Sequence, residues 1–403
     1  MLAAICGSSP MGRLSAVKKQ AAQAASAASA ATSRGFDSAT CNRLQSNTSR
    51  ANLQPVAMMS TCHRSPQEQT LTMADVARLA GVSKATVSRA LNDSPLVSAA
   101  TRARVREIAN AHRFQINATA RSLSRRQSSV VALATYDHGT QMAGEKLPDA
   151  FVLELTSGLI TGLHEHGYDL LVIQIRASDT SWIERYLDSQ RADGFVLLGA
   201  HCTAGHLEAL ERRGAAFVVW GLDSVSHRFS SVAGDSFAGG RLATRHLLQR
   251  GSRQIAFIGG PEREQEIRDR YRGYAAALAG AGVQMDEALV SYGSYERESA
   301  TARMRTLLER HSELDAVFAC SDVMAIAAID VLRESGRDVP DDVAVVGYDD
   351  IFLAAHTDPP LTTVRQSGPL AGHLLADSLL TQLRTGAIGH VSMPAELVVR
   401  RSA

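Results

Sequence analysis

The segment 84–92 carries the side chains best suited to a chemical role, and that role is contact with nucleic acid. At helical spacing its polar face holds Lys84, Ala85, Ser88 and Arg89, which are two cations and two small residues without an acid. Cations neutralise backbone phosphates, and an arginine can grip the edge of a guanine in the major groove. The pattern therefore predicts a helix that reads DNA.

Two short helices must position this face. Thr72 and Asp75 have the spacing of a capping box that begins the first helix, and Ser83 is a suitable cap for the second. Gly81 between them tolerates the positive φ of a tight turn, which is typical of a helix-turn-helix unit. An ordinary pair of core helices is the alternative, but the basic face favours DNA binding. The residues expected to be buried are Val76, Ala77, Leu79, Ala80, Val82, Val87, Ala90 and Leu91.

Different segments flank this pair of helices. A third helix is predicted over about 99–112, where it should cover the other two. The apolar positions of the third helix are Ala103, Val105, Ile108 and Ala109.

Residues 1–70 are rich in Ala and Ser without apolar periodicity, so we expect them to be a disordered extension.

Charge is distributed unevenly along the 403 residues, although the net charge is only +1. Residues 1–70 hold seven basic and two acidic residues, and 71–129 hold ten and three, which leaves −11 for 130–403. A basic head on an acidic body is the electrostatic pattern of a DNA-binding protein whose body has another task.

From residue 130 onward, apolar runs such as VVALATY, YDLLVIQI and RQIAFIGG alternate with amphipathic stretches. Continuous runs of this kind predict parallel strands covered by helices on both faces. The unit recurs too often for one sheet of usual size, so we expect two doubly wound subdomains that face a cleft. The predicted fold class is a small all-α helix-turn-helix head and an α/β body.

Polar residues follow two of these strands, and ligands of open α/β sheets bind beyond the carboxyl ends of the strands. Asp349 follows VAVVGY, where its carboxylate can accept hydrogen bonds from two neighbouring hydroxyls of a sugar. Ser321 and Asp322 follow AVFAC in the same way. The alternative for Asp322 is that it caps the next helix, as Asp235 is expected to do.

Three aromatic residues are candidates for stacking on the apolar face of a sugar ring. Trp220 ends the run FVVW, Tyr295 lies in the second half of the body, and Phe151 would approach from the other subdomain. The alternative for Trp220 is an ordinary core position.

The sequence contains no pattern of catalysis or metal binding. GxGxxG, GxxxxGK[ST] and GxSxG do not occur, and the thirteen histidines are scattered. The five cysteines show neither CxxC nor CxxH spacing, so we expect no disulfide framework, metal or cofactor, and a reducing cytosol as the setting. No run of about 20 apolar residues is present that would span a membrane.

The stretch TMADVARLAGVSKATVSRALN at 72–92 and the later ARSL at 120–123 resemble the DNA-binding head of the lac repressor family in order and spacing. The match implies base contacts by Lys84, Ala85 and Arg89. It further implies a palindromic operator with a central CpG step, with Arg89 favouring a guanine in each half-site. The residues that it places at phosphates are Thr72, Thr86, Ser88 and Asn92.

The segment 116–129 is polar and short, and by itself it indicates a linker, because a helix of this length is marginal alone. The resemblance implies instead a hinge helix that folds only on DNA, beside its dimer mate. Leu123 would wedge between base steps in the minor groove, with Ala120 and Arg121 also at the DNA. One departure is Ile116, where the family usually has proline.

The resemblance continues through VPDDVAVVGYDD and PPLTTVRQ and covers about residues 72–400. It implies a body like a periplasmic sugar-binding protein, with three chain crossovers near residues 232, 365 and 389. Arg270 matches the effector-binding arginine of the family, and Ser321-Asp322 stands where the family often has Asn-Asp.

These observations together predict a homodimeric transcriptional repressor of carbohydrate-use genes. Its expected partners are a palindromic double-stranded operator, a sugar effector and a second copy of the chain. No leucine heptad follows Val399, so a tetramer of the lac repressor kind is not expected. A periplasmic sugar-binding protein is the main alternative, but it would need an export signal and no head. An α/β enzyme with an accessory head would need a catalytic constellation.

The predicted domains are an extension over 1–70, a head over 71–115, a hinge over 116–129 and an effector-binding body over 130–400. Because the family begins just before the first helix, Met58 or Met59 is the expected start of translation.

Overall fold

The structure is a computed structural model that describes residues 71–112, 114, 127–136, 149–176, 179–199, 203–222 and 228–403. The predictions for the extension and for residues 116–126 of the hinge, with Ala120, Arg121 and Leu123, lie outside the described residues.

Three helices form the head, namely α1 (Met73–Ala80), α2 (Lys84–Leu91) and α3 (Ala99–Ala111). The predicted capping box is present, since the backbone N–H of Thr72 donates to Asp75 Oδ2 at 3.0 Å while Thr72 Oγ1 accepts from the Asp75 N–H. Gly81 ends α1 with φ 64°, as the tight turn requires. The local sequence thus determines both the start and the end of the first helix.

The apolar residues that pack in the core of the head are those that helical spacing predicts, with two exceptions. Leu79 is 46% exposed, because α1 buries an arc through Val76, Ala77 and Ala80 and Leu79 lies beyond the edge of that arc. Ala103 is also exposed on α3. The predictions that these two residues are buried were wrong. The buried apolar residues of this cluster are Val76, Ala77, Ala80, Val87, Ala90, Val97 and Val105.

The first sheet of the body comprises β1 (Val130–Tyr136), β2 (Asp169–Ile175), β3 (Gly194–Leu198), β4 (Ala216–Trp220), β5 (Ser230–Gly234) and β11 (His390–Met393). Its spatial order is β2-β1-β3-β4-β5-β11, and every pair is parallel. The order reverses between β1 and β3, as in a doubly wound fold.

The second sheet comprises β6 (Ile255–Gly259), β7 (Val290–Tyr292), β8 (Ala316–Ala319), β9 (Ala344–Asp349), β10 (Thr362–Arg365) and β12 (Glu396–Val398). Its order, β7-β6-β8-β9-β10-β12, repeats that of the first sheet, but β12 is antiparallel to β10. Strands β6, β8 and β9 are buried along their whole length, which explains their continuous apolar runs.

Helices cover both sheets. The first sheet, with its helices, forms the N-terminal subdomain, and the second forms the C-terminal subdomain. The helices of the N-terminal subdomain are α4 (Ala150–Glu165), α5 (Ser181–Leu187), α6 (Ala204–Arg212) and α11 (Gly368–Thr385). The helices of the C-terminal subdomain are α7 (Ser236–Gln249), α8 (Gln265–Gly280), α9 (Arg297–Arg310) and α10 (Asp322–Glu334), with short 3₁₀ helices at Glu287–Leu289 and Phe352–His356.

The chain crosses between the sheets after β5, after β10 and after β11. The third crossover therefore follows Met393, a few residues beyond the predicted position near residue 389. The difference arises because residues 390–393 form an additional strand that pairs with β5. No helix in the described part of the chain has the length and apolar character needed to cross a membrane.

Close packing of α4 on α11 depends on glycines. A Cβ atom on Gly158 would lie 2.0 Å from the carbonyl oxygen of Pro369, and one on Gly372 would lie 2.1 Å from that of Leu155. Both neighbours are backbone atoms, so they cannot move aside without separating the helices.

Gly372→Ala should therefore lower the free energy of unfolding by about 1–3 kcal/mol, because the added methyl group overpacks this interface. Urea denaturation of purified protein measures the change. Gly205→Ala is the matched control, since the nearest atom to its Cβ would be Thr203 Oγ1 at 3.7 Å. An equal loss of stability in both variants would contradict the assignment.

Candidate functional site

The predicted reading face of α2 is exposed. Lys84, Ala85 and Arg89 lie at the surface, while Val87 and Ala90 on the opposite side are buried. No salt bridge among the described residues of the head involves Lys84 or Arg89. Both cations are therefore available to an external anion.

Local hydrogen bonds fix the two ends of α2. Ser83 Oγ accepts from the Thr86 N–H at 3.1 Å, and Asn92 Nδ2 donates to the Ser88 carbonyl at 2.9 Å. Thr86 and Ser88 are half-buried beside the exposed arc, and Thr72 is exposed at the start of α1. The positions predicted to contact phosphates thus flank the positions predicted to contact bases.

The loop after α2 is held by α3. Arg102 Nη2 donates to the carbonyls of Ser94 and Val97 at 3.2 and 3.1 Å. Arg106 forms an ion pair with Asp93. These contacts tie α2 to the third helix, so the reading face projects from a small rigid unit.

In the body, candidate ligand residues gather where the strands of both sheets end. On the N-terminal subdomain, the rings of Phe151 and Trp220 lie 5.4 Å apart between centroids, and both side chains are less than a tenth exposed. Asp149 caps α4 by accepting from the Phe151 N–H at 2.8 Å, and burial raises the pKa of its carboxyl group. Both rings belong to a buried apolar cluster, the alternative considered for Trp220, whereas Asp149 interacts electrostatically with Arg270.

On the C-terminal subdomain, Arg270 is 2% exposed and reaches the centre of the site from α8. Its Nη1 donates to the carbonyl of Cys320 at 2.6 Å, and its guanidinium lies 3.7 Å above the ring centroid of Tyr348. Burial alone would lower the pKa of Arg270, but Tyr348, Glu266 and Asp349 outweigh that effect and raise it. Its Nε is buried without a partner.

Asp349 ends β9 in a strained backbone conformation. Its φ is 114° and that of Asp350 is 59°, and side chains other than glycine adopt such values at a cost of roughly 1–3 kcal/mol each. Asp349 Oδ1 accepts from Gln366 Nε2 at 2.7 Å, and burial raises the pKa of Asp349 against the opposing effect of Arg270. Asp350 is held by Arg365 and Arg400 at 2.7 and 2.6 Å.

Ser321 and Asp322 support the site from within the C-terminal subdomain. Ser321, rather than Asp322, caps α10 by accepting from the Met324 N–H at 3.2 Å. Asp322 is fully buried, and its two oxygens accept from the Ile351 N–H at 2.9 Å and from Thr363 Oγ1 at 2.5 Å. Burial raises its pKa to about 7. Contact of either residue with an effector stays a prediction, whereas Asp235 caps α7 as expected.

Tyr295 lies against Glu264 at one side of the cleft. Its hydroxyl donates to Glu264 Oε2 at 2.6 Å, and burial is the main cause that raises the pKa of Glu264 to about 7. A cavity of about 220 Å³ opens beside this pair, between the ends of β3 and β4 and the start of α8. Its lining includes Gly199, Gly221, Leu222, Glu264, Gln265 and Glu266.

Sequence reasoning missed Asp149, Glu264, Glu266 and Gln366. Gln366 follows β10, so the rule that ligands bind beyond strand ends would have found it. The glutamates lie at the start of α8 after an irregular loop, where no periodicity signals orientation. Of the predicted residues, Arg270 interacts electrostatically with Tyr295 and Asp349. Phe151 and Trp220 pack on each other within the buried apolar core. The role of these five residues in effector binding stays a prediction. Within the described ranges, no group of His, Cys, Asp and Glu side chains is arranged to hold a metal ion.

Comparison with known proteins agrees with this division into head and body. Residues 72–117 match the family described as bacterial regulatory proteins, lacI family, and residues 244–403 match a periplasmic binding protein-like domain. The HTH-type transcriptional regulator CelR of Thermobifida fusca is 39% identical over 81% of this chain and 95% of the relative. The ribose operon repressor of Escherichia coli K12 is 34% identical over 77% of this chain and 93% of its own.

Solved structures are similar over the same region. A complex of the transcriptional regulator CelR with cellobiose matches with a TM-score of 0.63 and 36% identity, covering 83% of this chain and 100% of that one. A lac repressor dimer bound to operator and the anti-inducer ONPF matches with a TM-score of 0.71 and 26% identity, covering 83% and 99%.

The helix-turn-helix head and the ligand cleft define a class of protein, the DNA-binding regulators that carry their own sensor. Within that class, the chain belongs to the lacI family of bacterial regulatory proteins and is a transcriptional regulator.

The raised pKa of Glu264 predicts how stability depends on pH. Its carboxyl group stays protonated in the fold up to about pH 7, whereas in the unfolded chain it ionises near 4.5, so the free energy of unfolding falls as pH rises through that window. Glu264→Gln should reduce the fall between pH 5 and pH 7 by about 2 kcal/mol.

Urea denaturation across this pH range measures the effect, with Glu208→Gln on the exposed face of α6 as control. An unchanged pH profile in Glu264→Gln would show that Glu264 is not the group responsible.

Proposed function

We propose that this protein is a homodimeric repressor of carbohydrate-utilisation genes, which acts on a palindromic operator in the bacterial cytoplasm under the control of a sugar effector. One observation carries the proposal: a single chain joins an exposed basic reading helix to a two-sheet α/β body in which several carboxyl groups surround the buried Arg270. The names of two relatives support the sugar, since one is an operon repressor for ribose and another was solved with cellobiose.

Two points support the dimer. The similar lac repressor structure is a dimer bound to operator, and a palindrome requires two heads related by a two-fold axis. On this chain, Leu153 and Ile160 of α4 are 51% and 50% exposed. They lie seven residues apart on one side of the helix, so they form an apolar stripe suited to a second copy.

Base reading is assigned to Lys84, Ala85 and Arg89, and phosphate contact to Thr72, Thr86, Ser88 and Asn92. The hinge residues Ala120, Arg121 and Leu123 are assigned to the minor groove by family resemblance alone. The side chains of Lys84, Ala85 and Arg89 are exposed, and their face of α2 carries no acidic residue. Both observations support the assignment of these three residues to the bases.

The cleft provides a route from effector to DNA. A sugar would bridge Phe151 and Trp220 on one subdomain to Arg270 and Asp349 on the other. Asp349 is three residues before Phe352, whose N–H donates to Glu154 Oε1 on α4 at 2.9 Å. Movement of Asp349 on binding would thus change a contact between subdomains, and with it the population of the conformation that fits the operator.

Arg89→Ala should weaken specific operator binding by about 1–3 kcal/mol and relax the preference for guanine, because the substitution removes a base contact. The affinity is measured by fluorescence anisotropy with a labelled palindrome taken from upstream of the genes that neighbour this one. Arg104→Ala on α3 removes an exposed head charge away from the reading face and serves as the control. Wild-type specificity in Arg89→Ala would remove this residue from the reading set.

Asp349→Asn should leave operator affinity within about twofold and abolish the response to sugar, because the amide keeps the shape of the side chain but replaces one oxygen acceptor with a donor. Operator anisotropy with and without cellobiose or ribose measures the response. The control is Asp377→Asn, an exposed position on α11. A normal sugar response in Asp349→Asn would exclude the carboxylate from the effector site.

A further inference from the structure

Tyr348 lies directly behind two residues of the candidate effector site. It precedes Asp349 in β9, its side chain is fully buried, and the Arg270 guanidinium lies 3.7 Å from its ring centroid. Burial is the main cause that raises the pKa of Tyr348 to about 12, so the side chain keeps its hydroxyl proton at neutral pH. A displacement of Arg270 or Asp349 therefore acts on Tyr348 directly.

The hydroxyl end of Tyr348 reaches the start of α7. A Cβ atom on Gly239 would lie 2.3 Å from Tyr348 Oη, so the hydroxyl packs against the first turn of this helix. A Cβ atom on Gly240 would lie 2.1 Å from the carbonyl oxygen of Arg270. The start of α7 thus packs on the backbone of Arg270 and on the side chain that covers its guanidinium.

The same end of α7 is the place where the three crossovers meet. The first crossover is very short, since β5 ends at Gly234 and α7 begins at Ser236. The Asp235 N–H donates to the carbonyl of Met393, at the third crossover, at 2.9 Å. A Cβ atom on Gly234 would lie 2.8 Å from Oε1 of Gln366, which follows β10 at the second crossover. A change in the angle between the subdomains must therefore alter the backbone around Ser236.

Two buried hydroxyl groups at this junction have no hydrogen-bond partner among the described residues, namely Ser236 Oγ and Tyr348 Oη. The Ser236 hydroxyl nevertheless lies close enough to oppose the rise in the pKa of Tyr348. A buried hydroxyl without a partner destabilises the conformation in which it occurs, and each hydroxyl can both donate and accept. A small rotation of the backbone at Ser236 would let one hydroxyl donate to the other and satisfy both.

We propose that the hydroxyls of Ser236 and Tyr348 form a conformational sensor, bonded to each other in one arrangement of the subdomains and separate in the other. The described structure has the separate arrangement. Tyr348 is a positioning residue in this device, because it connects Arg270 and Asp349 to the junction of the crossovers. The inference rests on the proposed control of operator binding by a change between the subdomains, and it identifies side chains that transmit that change.

A double-mutant cycle on the full chain tests the proposal, with Tyr348→Phe, Ser236→Ala and the variant that combines them. Fluorescence anisotropy gives two quantities for each protein, the operator Kd and the cellobiose concentration that releases half of the operator. These quantities depend on the populations of the two arrangements. Each single variant loses the same hydrogen bond, so both should change one of the quantities by about two- to tenfold in the same direction.

The double variant should change that quantity no further than the single variants do, because one hydrogen bond can be lost only once. Additive effects of the two substitutions would show that the hydroxyls act independently and would overturn the proposal. It would also be overturned if neither the operator Kd nor the half-release concentration changed in the single variants.

Tyr274→Phe is the matched control. Tyr274 is also buried in the C-terminal subdomain, but its hydroxyl donates to the Ile255 carbonyl at 2.8 Å within that subdomain. Its removal should lower the urea midpoint of unfolding and leave the operator Kd and the half-release concentration unchanged. If Tyr274→Phe changed these quantities as much as Tyr348→Phe, the role of Tyr348 would be structural only and the proposal would be overturned.

The response of the wild type separates this inference from the proposed function. Operator binding that neither cellobiose nor ribose changes would contradict the proposed sugar effector, and the cycle on the operator Kd alone would then decide the inference. A sugar response in the wild type with an additive cycle would leave the sugar-controlled repressor in place and remove the sensor. No specific operator binding by the wild type would overturn both.

Discussion

The buried guanidinium of Arg270 is the interaction on which the site depends. A charge so far from water is tolerated only if its neighbours replace the lost hydration. Here a backbone carbonyl, the face of Tyr348 and nearby carboxylates perform that function. The guanidinium in turn opposes the rise that burial causes in the pKa of the nearby carboxyl groups of Asp149, Glu264, Glu266 and Asp349. The group therefore holds together as a unit, and a molecule entering the cleft joins an electrostatic network that already exists.

The fold makes this network possible by placing segments of both subdomains beside each other, since the Phe352 N–H donates to Glu154 Oε1 and Asp149 interacts electrostatically with Arg270. Asp149 precedes α4 of the N-terminal subdomain, whereas Arg270, Tyr295 and Asp349 belong to the C-terminal subdomain, so both subdomains contribute to the network. The strained backbone at Asp349 and Asp350 lies where β9 leaves the sheet. Asp322, Arg365 and Arg400 hold the segment around it, so the protein maintains this conformation with interactions outside the cleft.

Most of the fold could be predicted from the sequence, because helix caps, apolar periodicity and buried strands are local signals. The capping box at Thr72 and the αL turn at Gly81 formed as expected. The exposure of Leu79 and the strand at 390–393 were not predicted. Burial at the edge of a helix and the pairing of strands both depend on neighbours far along the chain. The same limit explains the missed acids of the cleft. Glu264 and Glu266 become binding candidates only when the start of α8 is placed opposite β4, which is information that spacing within a segment does not contain.

The crossovers give each subdomain a discontinuous chain, and this has a consequence for synthesis on the ribosome. The head is complete once residue 111 has emerged, whereas the N-terminal subdomain needs α11 and β11, and the C-terminal subdomain needs β12. Before α11 is synthesised, the glycine face of α4 has no helix to pack against. Before residues 396–402 are synthesised, β10 lacks its outer strand, and the Val345 N–H lacks the Ser402 carbonyl that accepts its hydrogen bond. A nascent chain thus carries a folded DNA-reading unit for nearly three hundred residues before the sensor that controls it can close.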